Sequence, residues 1–419
     1  MIILDDSYVS NRMLRYLELS RQPVLETDMA RKLMVEGADI SLVPEDKAIA
    51  RIDAGEPLYA MSESHFDWVM KHISRQNIRH GMEIFKNKER MREVLAPLYP
   101  ELFYQAVDVE TLLRMPFPEQ QAPFVLKPSV GFLSLGIYVI RTEMDWVMAQ
   151  TNITASRKDW SQWYSDSVIG TERFIMESLI EGTEYALDAY YDENGVPRLL
   201  NILRHDFADS QDTSDRLYVC GTQIMQEKRD AMLQFLTQAN ELCQVRSFPV
   251  HVEVRECNGR IYPIEFNALR FAGLGGTEIS SMAFGFYTFA HYLQNTEPDW
   301  NAAFAHAGED LYCMSVLNPP ADTPAGTTMD YEAFSAQFDH VIAMDRFDFD
   351  ASGIMGFMFW KTSPDDDSER RRMLEDDLSA YLIAPGESGQ AAPPIEYSPN
   401  RRYPNAAKKH HHHTPHLEG

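Results

Sequence analysis

Cysteine is scarce in this chain: four residues in 419, Cys220, Cys243, Cys257 and Cys313, dispersed without a CxxC pair. That spacing excludes a zinc knuckle and a disulfide framework and leaves four expected buried thiols. Long apolar runs are missing as well, and no stretch reaches the roughly 18 residues a membrane-spanning helix needs. The start, MIILDDSYVS, lacks a basic segment, an apolar run of signal length and a cleavage site, so the cytoplasm is the expected compartment. Positive charge is short, with 38 Lys and Arg against 63 Asp and Glu and a net charge of −25. Such a body repels phosphate backbones and anionic lipid surfaces, so neither nucleic acid nor membrane is an expected partner. A site for a phosphorylated ligand must then make its positive environment locally, from a few lysines, backbone N–H groups and divalent metal.

What is present suits a folded protein: 44% hydrophobic and 11% aromatic residues. The length predicts roughly two to four compact units. Residues 1–79 alternate short apolar strands (MIILDD, PVLE) with helical patterns (NRMLRYLELS, DMARKLMVEG), which reads as a small α/β domain. Residues 80–296 carry strands separated by long helices and hold nearly every residue with a plausible chemical role. Residues 297–384 read as a smaller α+β lobe, with strands in LYCMSVL, HVIAMDRF and IMGFMFWKT, a helix at YEAFSAQF and a final helix through ERRRMLEDDLSAYLI. Residues 385–419 are rich in Pro, Gly, Ser and Asn and are expected to be disordered, with His410 to His413 belonging to a tag or a polar tail.

The most specific signal is HVEVRE and IYPIEFN joined by the turn CNGR, a hairpin by pattern. Alternation puts His251, Glu253 and Arg255 on one side of the first strand and Glu265 with Asn267 on one side of the second. Magnesium uses one or two carboxylates and fills its shell with phosphate oxygens, so Glu253, Glu265 and Asn267 form a candidate metal set. A hairpin with one wet face shows the same alternation, and spacing alone does not separate the two readings.

Upstream, PFVLKPSVGFLSLGIYVI places Lys127 at a strand end before a loop containing Gly131, Ser134 and Gly136. Glycines let backbone N–H groups approach phosphate oxygens and the lysine adds a point charge, though an ordinary turn uses the same residues. Between these motifs, FIMESLIEGTEYALDAYYDENG runs as a strand to Glu177, a connection through Gly182 and a second strand beginning near Glu184. That carboxylate could accept hydrogen bonds from ribose hydroxyls, and the connecting backbone could pair with adenine.

In this order, across about residues 85–293, the motifs resemble the ATP-grasp superfamily. The resemblance implies an α/β and α+β multidomain fold: a preATP-grasp α/β domain, an ATP-grasp region and a small C-terminal lobe. It implies ATP and two magnesium ions, with manganese as an alternative metal, on Glu253, Glu265 and Asn267. Lys88 in NKERMREVLA and Lys127 match the two phosphate lysines, and Gly131, Ser134 and Gly136 the closing loop. Glu177, Ser178, Ile180 and Glu184 match the nucleotide hinge, with backbone contacts to adenine from Ser178 and Ile180. Arg270 in FNALRFAGLGG takes the place of the basic residue that engages the substrate carboxylate or the transferred phosphoryl group, so Arg270 and Lys127 are the expected catalytic pair.

The activity so implied is a carboxylate–amine ligase acting on small molecules through an acyl phosphate, with release of ADP and phosphate. A kinase on the same fold and a nucleotide-binding regulatory protein are the alternatives. The polar loop from Phe207 to Arg216, with Arg204 and His205 at its entrance, and Arg255 on the metal face are the expected substrate contacts. A homodimer is the assembly considered.

Overall fold

The computed structural model describes residues 1–6, 8–130, 136–163 (157–163 by backbone alone), 172–209, 215–273 and 275–386. At the start, four short strands, β1 (Ile2–Ile3), β2 (Pro23–Leu25), β3 (Ser41–Val43) and β4 (Tyr59–Ala60), make a parallel sheet in the order β3-β2-β1-β4. Parallel neighbours need crossover connections, and the expected helices supply them. Ser10 caps the Asn11–Ser20 helix by accepting from the Met13 N–H, and Thr27 caps Asp28–Val35 by accepting from Ala30 N–H. Met13 and Leu17, four apart on one face, pack against Ile2, Leu4 and Val24.

A second, antiparallel sheet has the order β5-β8-β6-β7, from β5 (Tyr104–Asp108), β6 (Phe124–Pro128), β7 (Tyr138–Ile140) and β8 (Arg173–Ser178). Its own core joins Phe124, Leu126, Ile140, Trp146, Phe174 and Met176.

The third sheet holds eight strands. Five come from the middle of the chain: β9 (Thr183–Tyr191), β10 (Pro197–Asp206), β11 (Leu217–Cys220), β12 (Phe248–Cys257) and β13 (Arg260–Ala268). Then follow β14 (Leu311–Leu317), β15 (Thr328–Met329), β16 (Val341–Arg346), β17 (Gly356–Thr362) and β18 (Leu382–Ile383), of which β15 and β18 pair apart. The order is β13-β12-β9-β10-β11-β14-β17-β16. One face packs on the Thr222–Cys243 and Gln76–Phe85 helices, where Phe85 stacks on Phe266 with ring centres 4.7 Å apart.

The segment expected as a separate lobe therefore differs: β14, β16 and β17 continue the same sheet. The physical reason is burial. Nearly every residue of LYCMSVL and GFMFWKT is covered on both faces, which only an interior strand satisfies. The last helix also stops early, at Glu375, where Asp376 turns extended. The acidic run Glu375, Asp376 and Asp377 opposes the negative end of a helix dipole and does not extend it. Residues 387–419, with His410 to His413, lie outside the described residues. Among the described residues no helix is long and apolar enough to cross a membrane.

Candidate active site between two sheets

The eight-stranded sheet builds the site row by row. Across β12 and β13, Glu253 lies directly opposite Glu265 and His251 opposite Asn267. Carboxylates so placed repel one another, because side chains of an opposed pair sit about 5 Å apart. Burial and the facing Glu265 push the Glu253 carboxyl up to about 8. A proton on Glu253 relieves that conflict, and a metal cation would relieve it with both carboxylates ionised. Beside it the Asn267 amide nitrogen is buried with no hydrogen-bond partner among the described residues. Two carboxylates and the Asn267 amide oxygen suit magnesium, which phosphate oxygens would complete, while the orphaned amide N–H would donate to a ligand oxygen; among the described residues no three His, Cys, Asp or Glu side chains enclose an ion alone.

The second sheet and the Lys88–Leu95 helix face this pair with positive charge. Lys88, the first residue of its helix, donates to Glu265 Oε1 at 2.9 Å. Lys127, near the end of β6 and 3% exposed, pairs with Glu177 Oε1 at 2.6 Å and donates to the Ile264 carbonyl at 3.3 Å. Burial lowers the pKa of Lys127, with Arg92 and Lys88 adding to the effect and Glu177 opposing it. Burial also works against the charge of Glu177, but Arg92 and Lys127 hold its carboxyl down to about 2.

Glu177 was expected to contact the nucleotide. The structure instead closes its carboxylate between Arg92 and Lys127, so it acts on those cations. The Ser178 N–H donates to Phe103 O at 3.0 Å, extending the β5–β8 pairing, and the Ile180 carbonyl accepts from Arg255 at 2.7 Å. The chain then crosses to the large sheet at Gly182, whose φ is +125° and where a Cβ would lie 2.2 Å from the Glu256 carbonyl oxygen; only glycine fits.

Beyond the crossing, Glu184 accepts from His205 Nδ1 and from Arg255 Nε, each at 2.9 Å. Burial opposes its charge, yet His205 and Arg255 keep it below the usual carboxylate range. His205 is held in turn by the rings of Phe207 and Tyr218, at 4.0 and 4.4 Å. Arg255 and His205, expected against substrate, are thus engaged with Glu184. Arg204 stands opposite Tyr185 across β9 and β10, on the face away from Glu184, and pairs with Asp206 at 2.6 Å. Alternation explains the correction, since neighbours Arg204 and His205 cannot share a face.

Arg270 follows β13 and meets Glu63, 3.3 Å away, in the short 3-10 turn after β4. It also lies close enough to Glu253 to oppose that carboxyl's rise. Gly136 takes a left-handed conformation with φ +70° ahead of β7, while Gly131 and Ser134 lie outside the described residues. Three participants were missed: Arg92, Glu63, and Asp188, which accepts from His251 Nδ1 and from the Ala272 N–H, both at 2.8 Å. Arg92 had a readable signal, four residues after Lys88 and so on the same helical face. Asp188 lies within the quoted hinge motif, four residues after Glu184 on the same strand face, while Glu63 comes from a segment with no motif.

The matching family model is the ATP-grasp domain, over residues 120–278. That interval runs from β6 through the β12–β13 hairpin and past Arg270. The chain has an ATP-grasp fold. Solved structures agree in fold. An L-amino acid ligase from Bacillus licheniformis superposes with a TM-score of 0.65 at 16% identity, over 91% of this chain and 98% of that one. A biotin carboxylase from Campylobacter jejuni gives 0.57 at 13%, over 86% and 87%. A phosphoribosylglycinamide synthetase from Anaerococcus prevotii gives 0.53 at 11%, over 91% and 98%. No curated protein sequence matches the chain.

Proposed function

We propose that this chain of ATP-grasp fold is an ADP-forming carbon–nitrogen ligase that joins a small carboxylic acid to an amine. The observation that carries the reading is the opposed pair Glu253 and Glu265, with Asn267 beside it, facing Lys88 and Lys127 across the seam between two sheets. An opposed carboxylate pair beside two buried lysines supports a place for a metal-bound polyphosphate, whose oxygens would compete with Glu265 and Glu177 for the lysines. ATP with two magnesium ions, or manganese in their place, fits that charge pattern; the metal would neutralise phosphate charge on Glu253, Glu265 and Asn267.

Arg270, on the strand's continuation, would meet the acid substrate. Its carboxylate oxygen would attack the γ-phosphorus as the bond to ADP breaks, giving an acyl phosphate, and an amine would then displace phosphate. Most of the rate enhancement for phosphoryl transfer comes from positioning and charge neutralisation, which these side chains supply. The similarity to an L-amino acid ligase supports amino acids as the acids and amines to test first.

Hydroxylamine offered with ATP and a panel of acids tests this directly. A productive acid should yield a hydroxamate together with ADP and phosphate. AMP, or a phosphate ester stable to hydroxylamine, would refute the ligase reading, and the ester would point to a kinase. Arg270→Ala should suppress hydroxamate formation by at least about tenfold while changing ADP affinity less, because its charge is assigned to the reacting groups.

A further inference from the structure

Arg92 is a buried cation that the proposed chemistry leaves unused. It is 4% exposed and lies one helical turn from Lys88. Its Nε donates to Glu177 Oε2 at 2.6 Å and its Nη1 to the Pro263 carbonyl at 2.6 Å, while Nη2 is buried with no hydrogen-bond partner among the described residues. Burying a guanidinium is costly, and an apolar side chain of similar size would fill the space at lower cost. Its two arms therefore need explaining by what they hold.

Both arms end at the two halves of the site. Glu177 is shared with Lys127, one carboxylate oxygen for each cation. Pro263 flanks an irregularity in β13: Glu253 opposes Glu265 and Val254 opposes Pro263, so Ile264 is an extra residue without a partner on β12. A bulge of this type frees a carbonyl from the ladder and re-aims the next side chain. Here the next side chain is Glu265. The carbonyls of Pro263 and Ile264 accept from Arg92 and Lys127 respectively, which pins the bulge from the opposite sheet.

We propose that Arg92 is a positioning residue for both halves at once: through Glu177 it places the Lys127 amine for the nucleotide, and through the Pro263 carbonyl it fixes the bulge that aims Glu265 at the metal. This rests on the assignment of Lys127 and Glu265 to nucleotide and metal. Two properties follow. A single ammonium at position 92 can neutralise Glu177 but cannot also reach the bulge, so the two halves separate. Loss of the cation leaves Lys127 alone on Glu177, held more firmly and less free for phosphate.

The test needs no acid or amine. ADP affinity is measured by calorimetry without metal, and Mn²⁺ affinity by electron paramagnetic resonance at saturating ADP, for wild type, Arg92→Lys and Arg92→Met. Arg92→Lys should bind ADP within about threefold of wild type yet bind Mn²⁺ about tenfold more weakly; Arg92→Met should lose about tenfold in both. Wild-type Mn²⁺ affinity in Arg92→Lys overturns the proposal. So does a parallel loss of both affinities in Arg92→Lys with a lowered unfolding midpoint, which marks a merely structural arginine. If Arg92→Met does not fold, Arg92→Lys decides alone. A wild-type protein that binds neither ADP nor Mn²⁺ removes the site assignment as well, whereas wild-type binding with an unaffected Arg92→Lys removes only this proposal.

Discussion

Single residues in this site are defined by which charges they face, like and opposite. Glu265 faces both Glu253 and Lys88, so Glu265→Gln removes the proposed metal ligand and a salt-bridge partner without changing volume. Metal-dependent ATP turnover, measured as ADP release, should fall at least about a hundredfold, equivalent to a few kcal/mol of barrier. Near-normal turnover in a folded variant would exclude the metal assignment. Lys127→Ala should weaken ADP binding by about tenfold in calorimetry, and because it also strips a partner from buried Glu177, the unfolding midpoint should drop too. His205 gives a pH signature. Burial lowers its pKa, but Glu184 more than compensates and the net shift is upward. A raised folded pKa means that the stabilisation is fully present below the unfolded value near 6.5 and is lost as pH rises through the folded one. The stability gap between wild type and His205→Gln should therefore be widest near about pH 6 and narrower by about pH 9 in denaturant titrations; a gap independent of pH would show that the imidazole stays neutral.

At the scale of elements, the bulge at Ile264 separates what pattern reveals from what it hides. Removing Ile264 leaves Glu253 opposite Glu265 and Val254 opposite Pro263 in regular pairing, so the hairpin should survive. The Ile264 carbonyl offered to Lys127 would be gone, and the Pro263 carbonyl offered to Arg92 would turn back into the ladder. Deleting Ile264 should thus cost only a modest shift in melting temperature but weaken Mn²⁺ binding at saturating ADP by about tenfold, read by calorimetry and paramagnetic resonance. The hairpin itself, its faces and the pair Glu253 and Glu265 were legible because strand alternation has a strict period of two. Lys88 and Lys127 were legible through motif order. The bulge was not, because Tyr262, Pro263 and Ile264 carry no polar residue among them to show where the alternation shifts by one. Nor were the partners of Glu177, Glu184 and Arg270. Each pairs with a residue from a distant segment, and only the packed sheets decide which charges meet.

For the whole molecule, the decisive fact is that one sheet draws its strands from residues 183 to 362. Truncation after residue 296 would strip β14, β17 and β16 and leave β11 as a bare edge. That fragment should lose cooperative thermal unfolding and precipitate; a soluble, cooperatively melting fragment would show that residues 297–384 form a separable lobe after all. The net charge of −25 makes the local cations matter more, since Lys88, Arg92, Lys127 and Arg270 are a small positive island in an acidic body. The strand order also sets a timetable for synthesis. β11 ends at Cys220 and its neighbour β14 begins at Leu311, about 90 residues later. At ribosomal speeds of about 5–20 residues per second, the nascent chain carries an unfilled hydrogen-bonding edge for roughly 5–20 s before its partner is made. During that interval the half-built sheet is a template for other chains, so slower translation across residues 221–310 should raise aggregation while leaving the finished protein unaltered.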